Sequence, residues 1–186
     1  MFLDARHVRP TSLRGFSLVE LMVVIAIMAV LSAVVLARYK SFNSTILLRN
    51  LAYEIALSTR EAQMLGISVQ AAPAASNPFA HAYGVHFTPG TSYTLFRDLD
   101  DDNQYDTGED VSVYRIGQGN SITSVCAGTN CAFVSLDVLF RRPEPDALFY
   151  VNGSPLSTSS VLIQAGSQDG NMRAVRIYPT GQIAVE

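Results

Sequence analysis

The run from Phe16 to Leu36 constrains this chain more than any other stretch. It holds 21 residues with no Pro and no Gly, and Glu20 is its only charge. A helix rises about 1.5 Å per residue, so the run spans roughly 30 Å, the thickness of a bilayer's hydrocarbon core. Arg6, Arg9 and Arg14 precede it, and Arg38 and Lys40 follow it. A charge at the bilayer centre costs roughly 2.5–3.5 kcal/mol, and less near the interface, where Glu20 falls in this run. Position alone leaves two readings of Glu20 open. It is a carboxylate snorkelling or protonated at the membrane edge, or one kept to pair with a specific cation.

The surrounding residues bear on that choice. Gly15-Phe16-Ser17-Leu18-Val19-Glu20-Leu21-Met22-Val23-Val24-Ile25-Ala26-Ile27 resembles the amino-terminal segment of type IV pilins and of the pseudopilins of type II secretion. The resemblance implies that a prepilin peptidase cuts after Gly15 and N-methylates Phe16. It also implies that Glu20 pairs with the terminal amine of a neighbouring subunit in a filament. An α-amino group titrates near about 7.7–8, and methylation leaves it able to carry charge. Such a pair, buried among helices, contributes more to register than to bulk stability. Residues 1–15 are then a leader with three Arg against Asp4, held in the cytoplasm by the positive-inside tendency. A secretory signal loses its apolar region at the cut, whereas here the apolar run follows the cut and is retained. The resemblance therefore implies a single-pass protein of the bacterial inner membrane, with its globular part in the periplasm and later in a filament. Its partners would be other pilins or pseudopilins through the helix, the prepilin peptidase and the inner-membrane assembly platform.

Past Ser41 the chain carries eight Arg and no Lys against fourteen carboxylates, a net charge of −6. That balance argues against nucleic acid as a general partner. Leu48, Leu51, Ile55, Ser58, Ala62 and Leu65 recur at three- and four-residue spacing, one face of an amphipathic helix. Arg49, Glu54, Arg60, Glu61 and Gln63 lie off the stripe, and Gly66 suits a helix carboxyl end. The expected organisation is a leader at 1–15, the membrane half of a long helix at 16–37, its amphipathic half at 38–66, and a β-rich globular domain at 67–186. Many pilins carry Pro where this chain has Ala37.

After Gly66 the pattern changes to strand and turn. Ile67 to Gln70 is expected to start extended, and Ala71 to Pro78 reads as a loop. Tyr83–Phe87 and Ser92–Arg97 read as a hairpin around Thr88-Pro89-Gly90. Strands are further expected at Val111–Arg115, Ala132–Phe140, Ala147–Val151, Ser160–Gln164, Arg173–Tyr178 and Gln182–Val185, the last two joined across Pro179-Thr180-Gly181. The fold class is α+β: a long amino-terminal helix packed on antiparallel sheet, as in pilins.

Later motifs narrow the resemblance. Leu48–Ala62, Phe96–Asp110 and Val175–Ile183 are similar to the helix, acidic loop and closing hairpin of the minor pseudopilin H class and its pilus counterpart, FimT. This implies a structural minor pseudopilin of type II secretion, at or near the pseudopilus tip, serving protein export. The alternatives are a FimT-like minor pilin of a type IV pilus, or a tip module binding DNA or substrate. Some FimT-like members use basic residues near the closing hairpin for DNA uptake; here Gln182 and Ala184 stand where Arg is expected.

The acidic loop has chemistry of its own. Asp98, Asp100, Asp102, Gln104, Asp106 and Glu109 fall at positions 1, 3, 5, 7, 9 and 12 of a twelve-residue frame, the ligand spacing of a calcium loop. Asn103 replaces the usual Gly and tolerates the left-handed conformation better than most residues. The flanks read as strands, so this is no EF-hand, and a solvated acidic turn explains the same residues without a metal. Cys126 and Cys131 are expected to form a disulfide in an oxidising compartment, since two thiols with no nearby His supply too few metal ligands. The sequence has no nucleophile elbow, zinc-protease motif or phosphate-binding loop, so no enzyme and no required cofactor is expected, with calcium as the one candidate ion.

Overall fold

The computed structural model describes residues 15–68 and 81–186, with the side chains of 37–42 excepted. The expected leader, apart from Gly15, lies outside the described residues, as do the loop at 71–78 and the extended start at Val69 and Gln70. The chain divides into two units at Lys40 and Ser41.

Helix α1 covers Leu18–Ile67. In the first unit, Leu18–Leu36 is long and apolar enough to cross a membrane, and its side chains are exposed. In the second unit, α1 carries the expected stripe. Leu48, Leu51, Ile55, Ser58 and Ala62 are buried, and Leu65 is half-buried against the same core. The two hydroxyls on this face are satisfied within the helix: Ser58 and Thr59 both donate to the Ile55 carbonyl, at 3.0 and 2.7 Å. A buried hydroxyl left without a partner is costly, so this local bonding is what admits Ser and Thr to an apolar face.

Among the described residues, ten strands follow, in two antiparallel sheets. The first contains β1 (Tyr83–Phe87), β2 (Ser92–Arg97), β3 (Asp110–Arg115), β5 (Leu136–Phe140), β6 (Ala147–Val151) and β7 (Ser154–Pro155), in the order β3-β2-β1-β5-β6-β7. The second contains β4 (Asn120–Ala127), β8 (Val161–Ser167), β9 (Met172–Ile177) and β10 (Ile183–Val185), in the order β10-β9-β8-β4. One core joins the helix stripe to Val85, Phe87, Leu95, Val138 and Phe140 of the first sheet and to Ile122, Val125, Ile163, Val175 and Ile177 of the second. The fold is α+β and pilin-like.

Four expectations need correction. Strand β4 lies where the sequence pattern predicts no strand. Its sequence, Asn-Ser-Ile-Thr-Ser-Val-Cys-Ala, breaks alternation because the pairing with β8 shifts register between Ile122 and Ser124. The two-residue β7 contains Pro155 and reads as a turn in sequence. Strand β5 begins at Leu136, not Ala132. Helix α1 runs on to Ile67, past Gly66.

That last correction reassigns Gly66. It is not a left-handed helix cap, since it sits inside α1 and is absent from the positive-φ residues. Its role is close approach: a Cβ there would collide with the backbone carbonyl and the Cβ of Phe140 on β5. The missing side chain lets the last turn of α1 lie on the sheet backbone. Near it, the Gln63 amide donates to the Pro145 carbonyl at 2.8 Å and to the Gly181 carbonyl at 3.2 Å. One helix residue thus ties the β5–β6 and β9–β10 connections to α1.

Replacing Gly66 with Ala improves helix propensity by about 0.8–1 kcal/mol, but overpacking costs typically about 1–3 kcal/mol. Gly66→Ala is therefore expected to lower the thermal midpoint, followed by circular dichroism. A raised midpoint would show that helix propensity outweighs the contact.

Candidate functional site

Two places gather the chemistry, and the first is the amino-terminal segment. Ser17 caps α1: its Oγ accepts the Val19 N–H at 3.3 Å, and its carbonyl accepts the Leu21 N–H at 3.1 Å. Glu20 then falls in the first turn, where a negative charge complements the helix dipole. Ser17-x-x-Glu20 has the form of a capping box, which gives Glu20 a local role as well. Gly15 has open space where a Cβ would stand, and Phe16 is 80 % exposed. The fold itself therefore places no steric demand for glycine at residue 15.

The second place is the connection between β2 and β3, which holds the acidic loop. The strand ladder runs into both of its ends: Arg97 N–H donates to the Glu109 carbonyl at 2.9 Å, and Asp98 N–H to the Ala82 carbonyl at 3.1 Å. The loop folds back over the outer face of the first sheet. There Tyr105 packs on Phe96, with ring centroids 5.5 Å apart, and on His86, at 4.8 Å. Ala82, Phe96 and Leu139 form a second small core beneath it, and Tyr150 joins from β6. Beside this core the His86 Nδ1 and buried Asp137 Oδ1 are hydrogen-bonded at 2.6 Å. This cover explains why β5 is buried at all five positions rather than at alternate ones.

Of the six positions in the calcium frame, the structure brings three together. Asp98, Asp100 and Asp102 each place a carboxylate oxygen within 4.8 Å of the other two. Glu109 is engaged elsewhere: its Oε1 accepts the Leu99 N–H at 2.6 Å and its Oε2 the Asp106 N–H at 3.0 Å. The Asp106 carboxylate does not join the cluster, and the Gln104 N–H donates to Asp102 Oδ1 at 2.8 Å. Asp101 and Asn103 both adopt positive φ, 63° and 67°, so Asn103 takes the left-handed conformation expected of it. Burial pushes the Asp98 and Glu109 carboxyls above the usual carboxylate range, opposed by the Asn103 N–H at Asp98 and by the Leu99 and Asp106 N–H groups at Glu109. The Tyr105 hydroxyl donates to Asp110 Oδ1 at 2.7 Å, which holds its proton and raises its pKa.

At the closing hairpin Arg176 is paired with Glu186, through contacts of 2.6 and 2.9 Å. This pairing holds the Glu186 carboxyl below its ordinary value. Arg49 and Arg173 line a shallow hollow with Tyr53, Val185 and the same Glu186. Gln182 and Ala184 supply no charge here. Cys126 and Cys131, at the end of β4, are joined by a disulfide.

The prokaryotic N-terminal methylation motif matches residues 12–36, which covers Gly15, Phe16 and Glu20. No curated protein and no solved structure matches the chain. The motif supports a type IV pilin-like protein, membrane-anchored through a single apolar helix. It points to a structural role in association with other pilins, after processing by a prepilin peptidase.

The loop's cover of the outer sheet face is testable through Tyr105. Aromatic pairs contribute about 0.5–1.5 kcal/mol each beyond area burial. Tyr105→Ala is expected to destabilise the protein by about 1–3 kcal/mol in denaturant unfolding. Tyr105→Phe, which keeps the ring and loses only the bond to Asp110, is expected to cost less than half of that. Equal losses would assign the cover to the hydroxyl rather than the ring.

Proposed function

We propose that this chain is a minor pseudopilin of a type II secretion system, assembling at or near the tip of the pseudopilus for protein export. The observation that carries the reading is the methylation motif at residues 12–36, set on an apolar helix whose whole surface is exposed. Side chains such as Leu18, Met22, Ile25 and Met28 are half to three-quarters exposed. A surface of that kind needs a lipid or protein environment, and a helix that passes from bilayer to filament meets both in turn. Cleavage after Gly15 would leave Phe16 as the first residue, with Ser17 capping the helix directly behind it. The new amine would then stand one helical turn from Glu20 of its own chain, free to meet Glu20 of a neighbour. The placement in type II secretion rests on the H-class resemblance of the helix, acidic loop and closing hairpin. The second reading is a FimT-like minor pilin of a type IV pilus, which shares those three segments. Co-purification with secretion components or with pilus components separates the two.

Processing is the first test. Protein extracted from membranes is expected to lack residues 1–15 and to carry one added methyl group by intact mass. A chain that still begins at Met1 would sink the pilin-like assignment. Glu20 supplies the second test. Glu20→Ala should leave processing intact and reduce incorporation into filaments. Glu20→Gln separates the two roles of this carboxylate, because Gln serves a capping box but cannot pair with a charged amine. It is expected to fail as Ala does, and normal incorporation of Glu20→Gln would assign Glu20 to helix capping alone.

A further inference from the structure

We propose that the β2–β3 connection is a calcium site, with Asp98, Asp100 and Asp102 as its protein ligands. The geometry suits the ion. Calcium takes oxygen ligands at about 2.3–2.6 Å, so two oxygens on one ion stand at most about 5 Å apart. The three carboxylate oxygens lie within 4.8 Å of one another, inside that bound.

The second observation comes from Asp98. Its side chain is fully buried. One oxygen, Oδ2, accepts the Asn103 N–H at 3.1 Å. The other, Oδ1, is buried and has no hydrogen-bond partner. A buried carboxylate oxygen without a donor is among the costlier defects a fold can carry. The protein cations nearby do not remove it. Arg141 Nη2 lies 3.6 Å from Oδ2 and is shared with Asp101 at 3.5 Å and the Asn103 side chain at 3.2 Å. His81 Nδ1 faces Asp101, at 4.0 Å. Six carboxylates occupy residues 98–109, so the cluster keeps a large negative excess after Arg141 is counted. A divalent ion on the Asp98 side chain gives the orphan oxygen its partner and cancels the repulsion between Asp98, Asp100 and Asp102.

The ligand set is narrower than the twelve-residue frame implies. Glu109 caps the Leu99 and Asp106 amides and serves as a brace that closes the loop. Asp100 and Asp102 are exposed, so water completes the coordination shell. Three carboxylates on a wound loop favour calcium over magnesium, which demands near-ideal octahedral geometry and keeps more of its water. A site with so few protein ligands belongs to the weak class, with a dissociation constant on the order of 10⁻⁴–10⁻³ M. Because Tyr105 of the same loop covers the outer sheet face, ordering the loop stabilises the sheet beneath it.

The test is thermal unfolding of the full chain in a non-ionic detergent, with calcium chloride, with chelator, and with magnesium chloride at equal concentration. Millimolar calcium is expected to raise the midpoint by several degrees over chelator, and magnesium by much less. Isothermal titration with calcium should give one site. Asp100→Asn and Asp102→Asn alter exposed side chains and leave the fold intact, as their midpoints in chelator will show. Each should weaken calcium at least tenfold, and the double variant should abolish the gain. Equal midpoints in calcium and chelator for the unsubstituted chain would overturn the site. So would a calcium gain that survives in the double variant. An equal shift with magnesium would overturn the choice of ion.

Discussion

The burial of one helix face between two sheets holds the globular unit together. Leu48, Leu51, Ala52, Ile55 and Ala62 belong to the same core as the inward side chains of both sheets. Each fully buried Leu or Ile contributes about 1.5–3 kcal/mol. The six-stranded sheet has two faces to cover. The helix covers the inner face and the β2–β3 connection covers the outer one. Gly66 and Gln63 then fix where the helix ends, one by having no side chain and the other by bonding two loops.

The parts legible in sequence were those with a single period. The Leu48–Ala62 stripe follows from 3.6-residue spacing, and the β1–β2 hairpin from β-formers flanking Thr88-Pro89-Gly90. Strand β4 was hidden because its bulge at Ile122–Ser124 destroys the alternation that marks a half-buried strand. The start of β5 is not legible, because Ala132 to Ser135 are themselves compatible with a strand and only pairing sets the boundary. Gly66 stands after an apolar run, where a cap is the common reason for glycine. The actual reason, a collision with Phe140, involves a residue 74 positions away and leaves no local trace.

The acidic loop shows the same division. Its ligand spacing is a property of sequence, but whether a side chain points inward is a property of the fold. Asp98 lies at the end of the β2 ladder and is drawn into the interior, whereas Asp100 and Asp102 stay at the surface. Glu109, the strongest ligand in a simple count, is taken up by two backbone amides. Tyr105 sits unmarked among the carboxylates, and its packing on Phe96 and His86 makes the loop part of the structure rather than an appendage.

The sheet edges bear on how copies of this chain meet one another. An open strand edge is a template for aggregation. Among the described residues, each sheet edge is short or bulged. The edge strand β7 has two residues and a Pro, and β10 has three residues. The edge of β4 is bulged, bridged to Gly90, and curled at its end by the Cys126–Cys131 link. Strand β3 has six residues, with Val111 and Val113 exposed and Asp110 and Arg115 at its two ends, and its pairing with β2 shifts register at Val111. Edge-to-edge strand pairing between globular units is thus disfavoured. Such a unit can be crowded against its copies while its sheets stay separate, which leaves the apolar helix as the dominant adhesive surface among the described residues.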